Sequence, residues 1–302
     1  MKMNFFADNP ESSETTLETQ SGDTRSAPVA PVEQLSSSAL SDEQSAAPLL
    51  APAQPAPAPR DPVWGALDLV LLVVIGFLAL LVGVMATFVA AKFGFYRQLS
   101  LNELVRMPLI AIVGQAVGYL IVLVYMYLLV TRHYHRPDFL AAIHWNRPAS
   151  VSSCLWGGLL LSVALQGLAH LLPMPKHLPI DALFRTPAEA WTLAIFSITL
   201  APLMEELFFR GFLYPVLARG LGVGAGVVIT GAAFALLHGS QLKFAWGPVL
   251  VIFMVGLALT YVRAKKNSVA ASLLIHVAYN GTIAVLMFVT TGGFRHLEKL
   301  SE

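Results

Sequence analysis

The chain has 302 residues, is 56% hydrophobic and only 12% charged, with a mean hydropathy of +0.67 and a formal net charge of +1. Soluble domains carry about 25% charged residues, so this composition excludes an ordinary water-soluble domain and predicts a polytopic membrane protein. One cysteine, Cys154, excludes an intrachain disulfide.

Residues 1–62 stand apart. They hold nine acids against three bases, a net of −6, and otherwise Ser, Thr, Ala and Pro, closing with "APAQPAPAPRDP". Such a segment has little to bury. It reads as a disordered acidic tail ending in an extended Pro/Ala linker. It lacks the basic start and apolar run of a secretory signal. Taking −6 from the overall +1 leaves +7 on the remainder, the sign expected beside anionic lipid.

A spanning helix needs about 20 mostly apolar residues. The segment 63–186, read as N-terminal transmembrane helices, holds three such runs at 64–93, 108–130 and 151–172. Asp68 lies close enough to the start of the first to reach the interface. Ser100-Leu-Asn-Glu103 is a capping box that opens a lead-in to the second. The segment 187–290 holds four more runs, at 188–217, 221–238, 247–262 and 268–290, the third of these being short. Thr186-Pro-Ala-Glu189 is a capping box with proline at the first helical position. The small-residue stretch "GVGAGVVITGAA", 222–233, suits close helix approach. Residues 291–302 are read as a C-terminal tail. The expected fold is therefore all-α, a membrane bundle of about seven transmembrane helices behind a disordered tail. The Lys/Arg count ties at eight on each side, and only the density of "VRAKKN" favours an inward N-terminus.

Ionisable groups inside spans are functional candidates. Here they are Glu205, Glu206 and Arg210 in the fourth run, His238 at the end of the fifth, and His276, with Asn280 beside it, in the seventh. Glu206 and Arg210 are four apart and share a helix face, so they are expected to pair as a structural bolt. Glu205 is turned about 100° away from that face. A carboxylate unpaired in apolar surroundings is a stronger base, which suits general-base work. His276 and Asn280 are also four apart, and an imidazole beside an amide can donate to one developing oxyanion. Phe234 and His238 repeat the spacing, placing an aromatic ring one turn below the imidazole. At about 1.5 Å per residue, Glu205, His238 and His276 fall within roughly 12 Å of one another in depth, so one site built from three helices is feasible. The aromatics Phe208, Phe209, Phe212 and Tyr214 are expected to pack rather than to form a substrate platform.

"EELFFR", "FALLH" and "HVAYN" contain Glu-Glu-x-x-x-Arg, Phe-x-x-x-His and His-x-x-x-Asn motifs, in that order on successive helices. With them the chain resembles the CPBP family of intramembrane endopeptidases, which includes the CAAX prenyl endopeptidase and bacterial relatives linked to bacteriocin processing and self-immunity. The resemblance covers 187–289, roughly a third of the chain. It implies proteolysis in a membrane cavity, with Glu205 and His238 activating water and His276 and Asn280 holding the oxyanion. Glu206 and Arg210 occupy the remaining charged motif positions. The implied substrate is a peptide or membrane-anchored protein, prenylated if the source makes such proteins. The partners expected are membrane lipid and that substrate, with no nucleic acid. The location expected is an integral multi-pass one, in the plasma (inner) membrane for a bacterial source.

Glu205, His238 and His276 are also valid zinc ligands in number and type. A metal-free glutamate mechanism with no cofactor is favoured over a zinc protease, because Asn280 beside His276 suits an oxyanion hole better than a zinc site. Two other classes stand beside a protease: a scaffold or immunity protein with the same fold that cuts nothing, and a transporter relaying protons through Glu205 and His238.

Overall fold

The structure, a computed structural model, describes residues 61–175 and 177–300. The expected disorder of 1–62 therefore lies outside the described residues, apart from Asp61 and Pro62. Among the described residues all regular structure is helical. In chain order the helices are α1 (Ala66–Ala90), α2 (Leu101–Val105), α3 (Pro108–Leu128), α4 (Phe139–Ala142), α5 (Val151–Ala169), α6 (Pro187–Ile198), α7 (Leu200–Glu206), α8 (Tyr214–Leu221), α9 (Val223–Leu237), α10 (Trp246–Lys266) and α11 (Val269–Thr290).

Six segments among the described residues are long and apolar enough to cross a bilayer: Ala66–Phe95, Pro108–His133, Val151–Ala169, Pro187–Leu221, Trp246–Lys266 and Val269–Thr290. The fifth apolar run is different. It yields only the 15 residues of α9, about 22 Å at 1.5 Å per residue and short of a hydrocarbon core of about 30 Å. The short run 247–262 extends into its flanks as part of a 21-residue helix. Apolarity alone missed its last turn, where Arg263, Lys265 and Lys266 complement the negative end of the helix dipole. The outer face of the bundle is apolar, with Leu67, Phe77, Leu120 and Leu160 exposed, as a lipid-facing surface requires.

Both capping boxes form. Ser100 Oγ accepts from Glu103 N at 3.3 Å, and Glu103 Oε2 accepts from Ser100 N at 2.7 Å. The Ser100 hydroxyl and amide together hold the Glu103 carboxyl below its ordinary range. Thr186 and Glu189 repeat the exchange at 3.3 and 3.0 Å. Asp68 does more than reach the interface: it accepts from Gly65 N at 2.7 Å and from the Tyr134 hydroxyl at 2.6 Å. Burial first, and then the Asp68 carboxylate, push that hydroxyl up to about 12.

The fourth apolar run is not one continuous α-helix. Pro202 has no N–H, and its ring crowds the carbonyl four residues back. The chain breaks at Thr199, with φ −114° and ψ −84°, between α6 and α7. Beyond α7 the residues Leu207–Leu213 form a π-helical turn, in which Tyr214 N donates to Phe209 O five residues back. These interruptions sit in the segment that carries the two glutamates and the arginine.

Close backbone contacts bring the carriers of the histidines to this segment. A Cβ on Gly158 of α5 would lie 2.4 Å from Ile275 O, so α11 packs directly on α5. A Cβ on Gly256 of α10 would lie 2.9 Å from Gly231 Cα, so α9 and α10 touch through their backbones. Two apolar cores result. One gathers Trp64, Leu72, Met126, Met204 and Phe212. The other gathers Cys154, Phe209, Phe234, Leu259, Ile275 and Tyr279 around the motif helices.

Candidate active site

Glu205 is the next-to-last residue of α7, its side chain 15% exposed inside a cavity of about 720 Å³. His238 follows α9 directly, and its Nδ1 lies 2.9 Å from Phe234 O. A carbonyl only accepts, so Nδ1 carries the proton and Nε2 is left to face Glu205. His238 Nε2 is 3.7 Å from Glu205 Oε1, and His276 Nε2 is 3.6 Å from Glu205 Oε2. The carboxylate of Glu205 thus stands between two imidazoles, one on each oxygen, at ion-pair rather than hydrogen-bond distance.

The neighbouring acid does more than its spacing promised. Arg210 Nη1 donates to Glu206 Oε1 at 2.8 Å, and both side chains are fully buried. The same Oε1 lies 2.9 Å from His276 Nδ1. The expected bolt is therefore also the group that orients a candidate catalytic imidazole. Arg210 is satisfied further by Gly256 O at 3.1 Å and Thr260 Oγ1 at 3.2 Å, and it lies 4.7 Å from the Phe234 ring centroid. These contacts suit a buried charge, which needs a partner and hydrogen bonds together.

Asn280 does not simply share an oxyanion with His276. Its Nδ2 donates to Ser197 O at 2.7 Å, a carbonyl near the break between α6 and α7. That bond uses one of the two amide protons and aims the other. The lining of the cavity nevertheless includes Glu205, His238, His276 and Asn280 together, with Phe234 and Tyr279 beside them.

Three contributors escaped the motif reading. Gln115 of α3 lines the cavity and donates to the Tyr119 hydroxyl at 2.6 Å; a lone amide in an apolar run was its only signal. Ser197 enters through its backbone, which a side-chain motif does not register. Phe294, in the expected C-terminal tail, is 1% exposed, lines the cavity and meets Trp191 at 5.2 Å edge to face. Phe209, Phe212 and Tyr214 are buried in packing.

A zinc ion would need Glu205, His238 and His276 as its donors. The imidazoles have their Nδ1 atoms tied to acceptors, an arrangement that also orients metal ligands. However, no group of three or more His, Cys, Asp or Glu among the described residues is arranged to hold a metal ion.

Residues 187–282 match a family model described as Rce1-like, type II CAAX prenyl endopeptidase. No curated protein and no solved structure matches the chain. The matched stretch contains all three motifs and runs from the first residue of α6 well into α11. With six apolar segments of spanning length among the described residues, this is an integral multi-pass membrane protein, and its residues 187–282 are similar to the Rce1-like type II CAAX prenyl endopeptidases.

Proposed function

We propose that the protein hydrolyses a peptide bond of a membrane-associated protein or peptide, using Glu205, His238, His276 and Asn280. The observation that carries this reading is the Glu205 carboxylate held between His238 Nε2 and His276 Nε2 at 3.7 and 3.6 Å, inside a cavity. Water taken up beside Glu205 loses a proton to that carboxylate, with His238 Nε2 assisting, and attacks the scissile carbonyl. The carbonyl oxygen becomes negative and accepts hydrogen bonds from the free Asn280 N–H and from His276. Collapse expels the amine, which takes the proton back from Glu205.

Glu206 limits what His276 can do. A carboxylate on Nδ1 means that Nδ1 carries a proton, so Nε2 donates to an oxyanion only when the ring holds both protons. A neutral ring would instead present Nε2 as an acceptor, backed by a carboxylate in the manner of a histidine–acid dyad.

The similarity of residues 187–282 to CAAX prenyl endopeptidases supports a peptide or membrane-anchored protein as substrate, a prenylated one included. The competing reading is a scaffold or immunity protein with the same fold. The experiment incubates the purified protein with peptide and prenyl-peptide libraries and repeats the assay with Glu205→Gln. Cleavage by the parent that is lost in the folded variant supports the protease. A parent that cuts nothing, or a variant that cuts normally, overturns the assignment.

A further inference from the structure

The π-helical turn Leu207–Leu213 lies between the glutamates and α8, and it runs into a proline. In its register each N–H reaches five residues back, as Tyr214 N does to Phe209 O. The next N–H in that register would come from position 215 and go to Arg210 O. Position 215 is Pro215, which has no N–H. The carbonyl of the buried arginine is left to find a donor elsewhere, and a buried carbonyl without one is costly.

Donors arrive from outside the turn. Arg263 of α10, 3% exposed, donates Nε–H to Arg210 O at 3.1 Å. Its Nη1 is anchored on Asn267 Oδ1 at 2.8 Å. Trp64, at the entry to α1 and 1% exposed, donates Nε1–H to Phe212 O at 3.1 Å. Its ring stacks on Phe212 with centroids 4.5 Å apart. Trp64 is itself clamped, since Arg219 Nη2 donates to Trp64 O at 3.0 Å and Nη1 to Pro62 O. Trp64 lies outside the family-matched stretch, more than 100 residues before it in sequence.

A π-helical turn is uncommon and stays only where its surroundings hold it. Relaxation to the ordinary four-residue register would rotate everything beyond it by about 100° relative to what precedes it. Arg210 could not then keep its guanidinium on Gly256 and Thr260 while Phe212 keeps its place against Trp64. Arg210 stays four residues from Glu206 in either register, so the pair would turn together away from Gly256, Thr260 and His276, and His276 Nδ1 would lose its fixed acceptor.

We propose that Trp64 and Arg263 are positioning residues of the site: their hydrogen bonds to Phe212 O and Arg210 O hold the π-helical turn that sets Glu206 against His276. This rests on the proposed role of His276 in proteolysis. Neither residue lines the cavity; both act through the Arg210–Glu206–His276 chain.

Two conservative variants test it. Trp64→Phe keeps the stacking ring and removes the N–H. Arg263→Lys keeps the charge and removes the Nε–H. Each is compared with the parent for kcat and KM on a cleaved peptide, for Tm, and for the side-chain nitrogen resonances of His276 in ¹⁵N-histidine-labelled protein. The expected result is a fall in kcat of up to about 10²-fold, little change in KM, and a displaced His276 Nδ1 resonance. If Trp64→Phe does not accumulate, Arg263→Lys decides. Unchanged kcat with an unchanged His276 resonance overturns the proposal. So does a lowered Tm with the resonance in place, which marks a merely structural role. If the parent cuts no peptide, the proposed function fails, and the His276 resonance alone still decides the positioning.

Discussion

Glu206 Oε1 receives His276 Nδ1 at 2.9 Å and Arg210 Nη1 at 2.8 Å, so one buried carboxylate oxygen serves an imidazole and a guanidinium at once. The contact joins residues 70 apart in sequence. In the proposed reaction it ties the second glutamate of the pair to His276, although Glu206 does not line the cavity.

Replacing Glu206 separates these duties. Glu206→Ala leaves Arg210 buried without its counter-charge, a loss of about 3–5 kcal/mol, and should lower expression and Tm sharply. Glu206→Gln keeps an oxygen for one neighbour and removes the charge. It should fold better than Glu206→Ala and still lose turnover. Thermal unfolding in detergent beside peptide cleavage checks both; a Glu206→Gln protein with parental activity would remove Glu206 from the orientation of His276.

Asn280→Ala should lower the single-turnover rate by about 10²–10³ while substrate binding changes little, because the amide donates to an oxygen that is fully negative only in the transition state. Ser197 O also loses its Asn280 donor, so a modest drop in Tm should accompany the loss. A rise in KM with an unchanged rate would place Asn280 in substrate binding instead.

Chelation distinguishes the two mechanisms. Parent protein dialysed against a strong chelator should keep its peptidase activity, and metal content should not follow activity in His276→Ala. Stoichiometric zinc in the parent, lost in His276→Ala together with chelator-sensitive activity, would make Glu205, His238 and His276 ligands.

Gly158→Ala would place a Cβ 2.4 Å from Ile275 O, a backbone atom that cannot swing aside. Separating α5 from α11 should cost about 1–3 kcal/mol. It should also lower activity, since the residue after Ile275 is His276. Tm and cleavage rate measured together check this, and parental values for both would show that α11 has room to move.

Deleting residues 1–55 should leave a folded protein that cleaves a short peptide at the parental rate, because Pro62 and Trp64 keep their hold on Arg219. Deleting residues 1–65 removes Trp64 and should lower both activity and Tm. The two truncations, purified and assayed side by side, place the boundary; equal loss in both would mean that the acidic segment contributes to the site.

Local sequence was enough for membrane character, for the all-helical class, for both capping boxes and for four polar residues of the cavity lining, Glu205, His238, His276 and Asn280. Apolar runs long enough to span, caps at i and i+3, and polar residues four apart within apolar helices are all short-range signals, set by hydration cost and helical period. Helix breaks and partners were not visible at that range. Pro202 and Pro215 were in plain view, yet whether a proline ends a helix, kinks it or is absorbed in a π-helical turn depends on who supplies the missing hydrogen bonds. Here Arg263 of α10 supplies the donor that Pro215 cannot give to Arg210 O, and Trp64, just ahead of α1, donates to Phe212 O. The double use of Glu206 and the tether of Asn280 to Ser197 O are of the same kind. A buried polar group must be satisfied somewhere, and only the tertiary packing of the helices decided by which residue.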